Sequence, residues 1–260
     1  GLVLLHQPVA ALAAASTIEA GSGAVAETKP ASVYGTTTVI DSEETETARA
    51  NWIKEGDDWY YLLPDGSRNR QDLQFDNALY KFNWNGSLKT AQWVPNTGGG
   101  AYPVFCYDEE TQFLFDQLND EKRDLYFEEY PDREEDYSGD EKTQYDRYAG
   151  FLMDEKLNQA AAYRLEAALV NGYSGDAIPG EGTLKNYLEK ISYRKNSSCR
   201  ELYLRGREDA DDAFDKLIGK TQDKYDSSGK RKDSLEYYRR IGMAHAEKDG
   251  EHYFMVILMR

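Results

Sequence analysis

Cysteine is scarce: Cys106 and Cys199 are the only two in 260 residues, and they form no Cys-x-x-Cys spacing. That excludes a thiolate zinc site and a dithiol redox motif. Histidine is nearly absent. His6, His245 and His252 have no partner at helical i, i+4 spacing, so neither a His-rich metal site nor a His-based triad has support. Positive charge is in deficit: 31 Lys and Arg stand against 47 Asp and Glu, a net charge of −16. This balance argues against a nucleic-acid partner and against docking on an anionic membrane surface. The mean hydropathy of −0.77 points to a soluble chain, and the length suits one mid-sized domain plus something smaller.

Long apolar runs are also missing. The longest N-terminal one, Leu2 to Ala15, falls short of the about 20 residues that span a bilayer. It ends in Ala11-Leu12-Ala13 and Ala13-Ala14-Ala15, which fit the small-residue cleavage site of a secretory signal peptide. Residues 1–15 are therefore expected to be a signal-peptide remnant, truncated in front, with a short buried helix as the alternative. No transmembrane segment is expected. Residues 16–50 are rich in Ala, Ser, Thr, Glu and Gly. They bury too little to offset chain entropy and read as a disordered linker.

At Asn51 the composition changes. Trp52-Ile53-Lys54-Glu55, then Gly56-Asp57, then Asp58-Trp59-Tyr60-Tyr61 reads as a hairpin, closed by Pro64-Asp65-Gly66. A second copy runs from Leu79-Tyr80 through Asn85-Gly86 to Trp93, with residues 67–78 as an interruption. Residues 51–94 resemble the cell-wall-binding repeats of the choline- and glucan-binding type. That resemblance implies an aromatic cage or platform, for which Trp52, Trp59, Tyr60, Tyr61, Tyr80 and Trp93 are the candidates. Two imperfect copies are few for a repeat array, so packing of the same rings into a core is the competing expectation. Residues 95–108, with the triple Gly at 98 to 100, read as a linker.

From Asp108 the pattern is helical. Phe113, Leu114, Leu118 and Leu125 predict a first helix. The stretch from Asp108 to Ala149 holds 16 acids and five basic residues. Its segment from Asp132 to Asp140 fails the calcium-loop pattern and reads as a solvated loop. Asp154 predicts the cap of a second helix ending at Asn171-Gly172, and Thr183 the start of a third. Glu201 to Leu204 is a short extended run, and Asp209 to Ile218 a helix ended by Gly219. Alternation from Ile241 to Ala246, Asp249-Gly250 and an apolar run from Tyr253 to Met259 predict a hairpin covered on both faces.

This order, with Leu114-Phe115-Asp116-Gln117-Leu118-Asn119 in the first helix, Asp154 to Ala161 in the second, Asp209 to Phe214 and Tyr238 to His245, resembles the CAP superfamily of cysteine-rich secretory proteins, antigen 5 and pathogenesis-related proteins. The likeness is greatest to bacterial secreted members, over residues 109–260 with an acidic insertion about 126–150. It implies an α+β fold: a three-layer α-β-α sandwich with a small antiparallel sheet, preceded here by the hairpin module. It also implies a groove, for which Asp176, Glu201, Lys230 and His245 are the candidates. Asp176 and Lys230 stand where that family carries His, so no metal ligands, catalytic residues or cofactors are assigned. A Lys230–Glu201 ion pair is the simpler expectation.

The expected protein is secreted or cell-surface, bacterial and non-catalytic, and binds a cell-wall glycan or another envelope or extracellular ligand. A metal-independent secreted hydrolase with a remodelled groove is the alternative. Export also permits a Cys106–Cys199 disulfide, which the sequence leaves open.

Overall fold

The computed structural model describes residues 51–94, 108–133, 146–221 and 224–260, and the backbone of three short strands at 2–4, 18–21 and 24–26. Most of the signal-peptide and linker segments, the centre of the acidic insertion and Cys106 lie outside the described residues. Of the short strands, β1 (Leu2–Leu4) lies antiparallel to residues 246–248, and β2 (Ile18–Gly21) pairs with β3 (Ala24–Ala26).

The aromatic segment folds as expected at its turns. Gly56 takes a positive φ of 63° between β4 (Trp52–Glu55) and β5 (Asp58–Tyr61). Gly86, at φ 90°, serves the turn between β7 (Ala78–Phe82) and β8 (Leu88–Trp93). The supposed interruption is itself structured. β6 (Leu73–Phe75) pairs with β7 through Asp76 and Asn77, both at positive φ, the geometry of a two-residue hairpin turn.

The helices follow their caps. Asp108 Oδ1 accepts from the Thr111 N–H and opens α1 (Glu109–Glu129). Asp154 accepts from the Lys156 and Leu157 amides at the head of α2 (Glu155–Asn171), and Gly172 closes it. Thr183 and Asn186 form a capping box on α3 (Leu184–Lys190). The fourth helix, α4 (Ala210–Thr221), runs through Gly219, so that glycine does not stop it. Burial of Leu217 and Thr221 on one side outweighs the about 1 kcal/mol that an interior Gly costs.

The sheet departs from the expected small antiparallel one. β10 (Ala177–Ile178) and β11 (Gly182–Thr183) pair apart from it; eight described strands form it, in the order β12 (Cys199–Arg207), β14 (Glu251–Met259), β13 (Arg240–Lys248), β9 (Leu152–Asp154), β8, β7 and β6, with β1 also on β13. β12, β14 and β13 are antiparallel neighbours. The short β9 pairs parallel with β13 and antiparallel with β8. That three-residue strand joins the aromatic segment to the rest, so 51–94 is not a separate domain. One buried cluster runs from Trp52, Trp59 and Tyr80 through Met153 to Leu114, Ile241 and Phe254.

The α+β class and the helix–sheet–helix layering hold around β13 and β14. Alternation sends Phe254, Val256 and Leu258 to the side of α1 and α4, and Met255, Ile257 and Met259 to the side of α2 and α3. Gly242 lets α2 touch the sheet, since a Cβ there would lie 2.2 Å from the Leu157 carbonyl carbon. Beside it the Met243 amide donates to Asn158 Oδ1 at 2.9 Å, past the end of β9 where no strand supplies an acceptor.

Candidate functional site

β12 is the terminal strand of the sheet; among the described residues nothing pairs with its outer side. A cleft of about 650 Å³ runs along that edge. Arg200, Arg205, Arg207, Lys216, Lys220 and Lys224 line it, against two acids, Asp176 and Glu201. Lys216 and Lys220 stand one turn apart on α4 and so share a face. Of the three acids of the same helix, Asp211 accepts from Gln117 Nε2, and Asp212 accepts from the Glu208 amide.

Two of the six cations are paired, Arg200 with Asp233, and Arg207 with Asp212 at 3.6 Å. Arg205, Lys216, Lys220 and Lys224 form no ion pair among the described residues. Burial lowers the Lys220 ammonium pKa below the ordinary lysine value, and its cationic neighbours Lys216, Arg200, Arg205 and Arg207 lower it further. This is a field of positive charge without its counter-ions, on a chain of net charge −16.

Glu201 sits at the cleft wall but is engaged on both oxygens. Arg164 Nε donates to Oε2 and Arg164 Nη2 to Oε1 at 2.9 Å, while the Tyr173 hydroxyl donates to Oε1 at 2.8 Å. The Arg164 side chain is fully buried and that of Glu201 is 4% exposed. The Tyr173 phenol is raised well above its usual range, by burial first and then by the Glu201 carboxylate. Arg164 therefore fills the counter-ion role expected of Lys230. Lys230 is exposed in a turn, where its amide donates to Asp226 Oδ1, and it does not line the cleft. Asp176 is exposed at the rim, as the groove reading requires.

His245 is not in this cleft. It stands on β13, two strands in from the β12 edge, packed with Met243 and Phe254 on the face opposite Glu201. It is fully buried. His245 Nδ1 lies 3.0 Å from Asp108 Oδ2, and His245 Nε2 lies 2.8 Å from His252 Nδ1. Burial alone raises the Asp108 carboxyl pKa, but His245 and the Thr111 amide outweigh it and hold that carboxyl below its usual value. The array ties the head of α1 to the hairpin. Among the described residues no three His, Cys, Asp or Glu side chains come together as a metal site. Cys199 is a half-buried free thiol whose pKa burial raises.

The aromatic candidates build core. Trp52 is 4% exposed, Trp59 3%, Tyr60 7% and Tyr80 0%. The Trp52 ring meets Tyr80 edge-on at 5.0 Å and Tyr61 at 5.4 Å, and stacks on Phe82 at 5.7 Å. Trp93 is half-buried beneath the Arg123 guanidinium, 4.6 Å from its ring. The exposed tryptophan is Trp84, at 85%, beside a depression of about 280 Å³ that Glu155, Gln159 and Tyr193 share.

The basic cleft has no signature in the linear sequence. Between Arg200 and Lys232 stand nine basic and eight acidic residues, so the segment looks balanced until the helix and strand sort the charges onto different faces. The only local signals are the Lys216–Lys220 spacing and the Arg205-Gly206-Arg207 triplet. No protein-family model matches the chain, and no curated protein or solved structure matches it.

Proposed function

We propose that this is a secreted or cell-surface bacterial protein whose CAP-like domain is non-catalytic and holds an anionic ligand of the envelope or the extracellular medium. The observation that carries the reading is the cleft along β12, where Arg205, Lys216, Lys220 and Lys224 converge with no ion pair among the described residues. Charges held close together and unpaired destabilise the fold, and an anion that neutralises them recovers that energy on binding. The state of Glu201 also favours binding over hydrolysis. Its two oxygens are spent on Arg164 and Tyr173, so it offers no free carboxylate for proton transfer. The aromatic segment supports the fold in this reading and contributes no cage.

Retention on a polyanionic matrix tests it. A chain of net charge −16 should be repelled by sulfated or phosphorylated beads, unless a local site captures them. Retention at low salt, lost in Lys216→Glu/Lys220→Glu and absent on neutral glycan beads, is the expected result. Passage of the unmodified protein straight through at low salt would overturn the reading.

A further inference from the structure

The cleft is bounded by a strand edge as well as by cations. The Arg260 amide donates to Ser198 O at 2.9 Å, which sets the alternation along β12. Arg200, Leu202 and Leu204 turn their backbone groups to β14, and Glu201 and Tyr203 turn theirs outward. Lys220 Nζ lies 3.5 Å from the outward carbonyl of Tyr203. The edge therefore presents the Glu201 amide and carbonyl and the Tyr203 amide, with the Tyr203 carbonyl accepting from Lys220, before the bulge at Gly206 ends the regular strand.

The side chains flanking that edge differ between its two faces. On the side of α4 stand Lys216 and Lys220, with Arg200 on the same face of the strand. On the other side stand the Tyr173 and Tyr203 rings, 5.1 Å apart, with Arg205 over the Tyr203 ring at 5.4 Å and Glu201 already neutralised by Arg164. An incoming strand presents successive side chains to opposite faces. Resting on the anion-binding reading above, we infer that the ligand is an extended acidic peptide, which adds to β12 as an antiparallel or parallel strand and carries carboxylates at alternate positions. Its acidic side chains meet Lys216 and Lys220, which have no ion pair among the described residues. The intervening ones, apolar or aromatic, lie on Tyr173 and Tyr203. Main-chain hydrogen bonds supply affinity and the charge pattern supplies specificity.

Lysines at a sheet edge also prevent unwanted strand pairing. The acidic alternation separates the two roles: it is the one pattern these cations would admit. Titration of the full chain by calorimetry, with four probes, tests the inference. The probes are a six-residue peptide alternating Glu with Tyr or Val, its scramble with adjacent glutamates, the parent N-methylated at alternate backbone amides, and a sulfated oligosaccharide. The expected result is binding of the parent, weakened at least about tenfold by scrambling and by N-methylation, which leaves the charge intact. Lys216→Glu/Lys220→Glu, with unchanged circular dichroism, should abolish it. Equal binding of parent and N-methylated peptides overturns strand addition while leaving an anion-binding cleft. So does binding of the saccharide alone. Binding of none of the four overturns both the inference and the reading beneath it.

Discussion

The sheet has two ends, built on opposite principles. At the β6–β8 end, aromatic residues of the kind that form ligand platforms are turned inward and stacked on one another, with Trp52, Trp59 and Tyr80 buried. At the β12 end no described strand covers the edge, and four cations face a cleft without an ion pair among the described residues. Residues whose chemistry suits binding thus serve as structure at one end, and charges whose spacing looks unremarkable line the candidate site at the other. Residue type names an available interaction; burial decides whether a ligand or the fold receives it.

The comparison breaks first at the aromatic end. Trp59→Ala should cost about 3–5 kcal/mol of stability, read as a shift in the urea midpoint, because it empties a ring from a closed cluster. Loss of glycan retention at unchanged stability would restore the platform reading. At the other end, Glu201→Ala should cost a similar about 3–5 kcal/mol, since it leaves the Arg164 charge buried and unpaired. A cost below about 1 kcal/mol would mean that this ion pair is solvated and that the cleft wall is not rigid.

A buried cation sharpens the contrast with the exposed ones. Lys122 lies in α1 under the Tyr126 and Phe151 rings, and donates to the Tyr148 and Ala149 carbonyls at 2.9 and 3.2 Å. Burial lowers its pKa to about 7, with the Arg239 charge adding to the effect. Between about 7 and the lysine value of 10.5 the unfolded chain binds the extra proton, so stability from this group rises with pH across that window. The slope is about 1.4 kcal/mol per pH unit at most. Lys122→Met should flatten it in urea titrations at pH 7 and pH 9.5; an unaltered slope would place the charge in solvent. The smallest effect belongs to the cleft. Lys216→Glu/Lys220→Glu should leave stability unchanged or raise it by up to about 1 kcal/mol, because it relieves the repulsion among the cleft cations. A loss would show that the cations hold the fold together.

Much of the secondary structure was legible in the chain. Asp108, Asp154 and Thr183 each mark a helix start, because a side-chain acceptor must satisfy amides that the helix leaves free. Gly56-Asp57, Asn85-Gly86 and Asp249-Gly250 mark hairpins, because few residues take a positive φ. Those are local requirements, and local sequence states them. β9 was not legible: three residues carry no periodicity, and what makes them a strand is β8 on one side and β13 on the other. Through it the aromatic segment joins the main sheet instead of forming a domain of its own. The site depended equally on non-local packing. Asp176 and Glu201 do reach one cleft, but the partner of Glu201 is Arg164, 37 residues away on α2. His245 and Lys230 are removed from it, one by its buried place on the inner strand β13 and the other by an exposed turn. By itself the sequence determined which backbone groups needed caps and which positions faced a core. Only the tertiary structure decided which charges found partners, because desolvation and pairing are set by neighbours that the linear order keeps far apart.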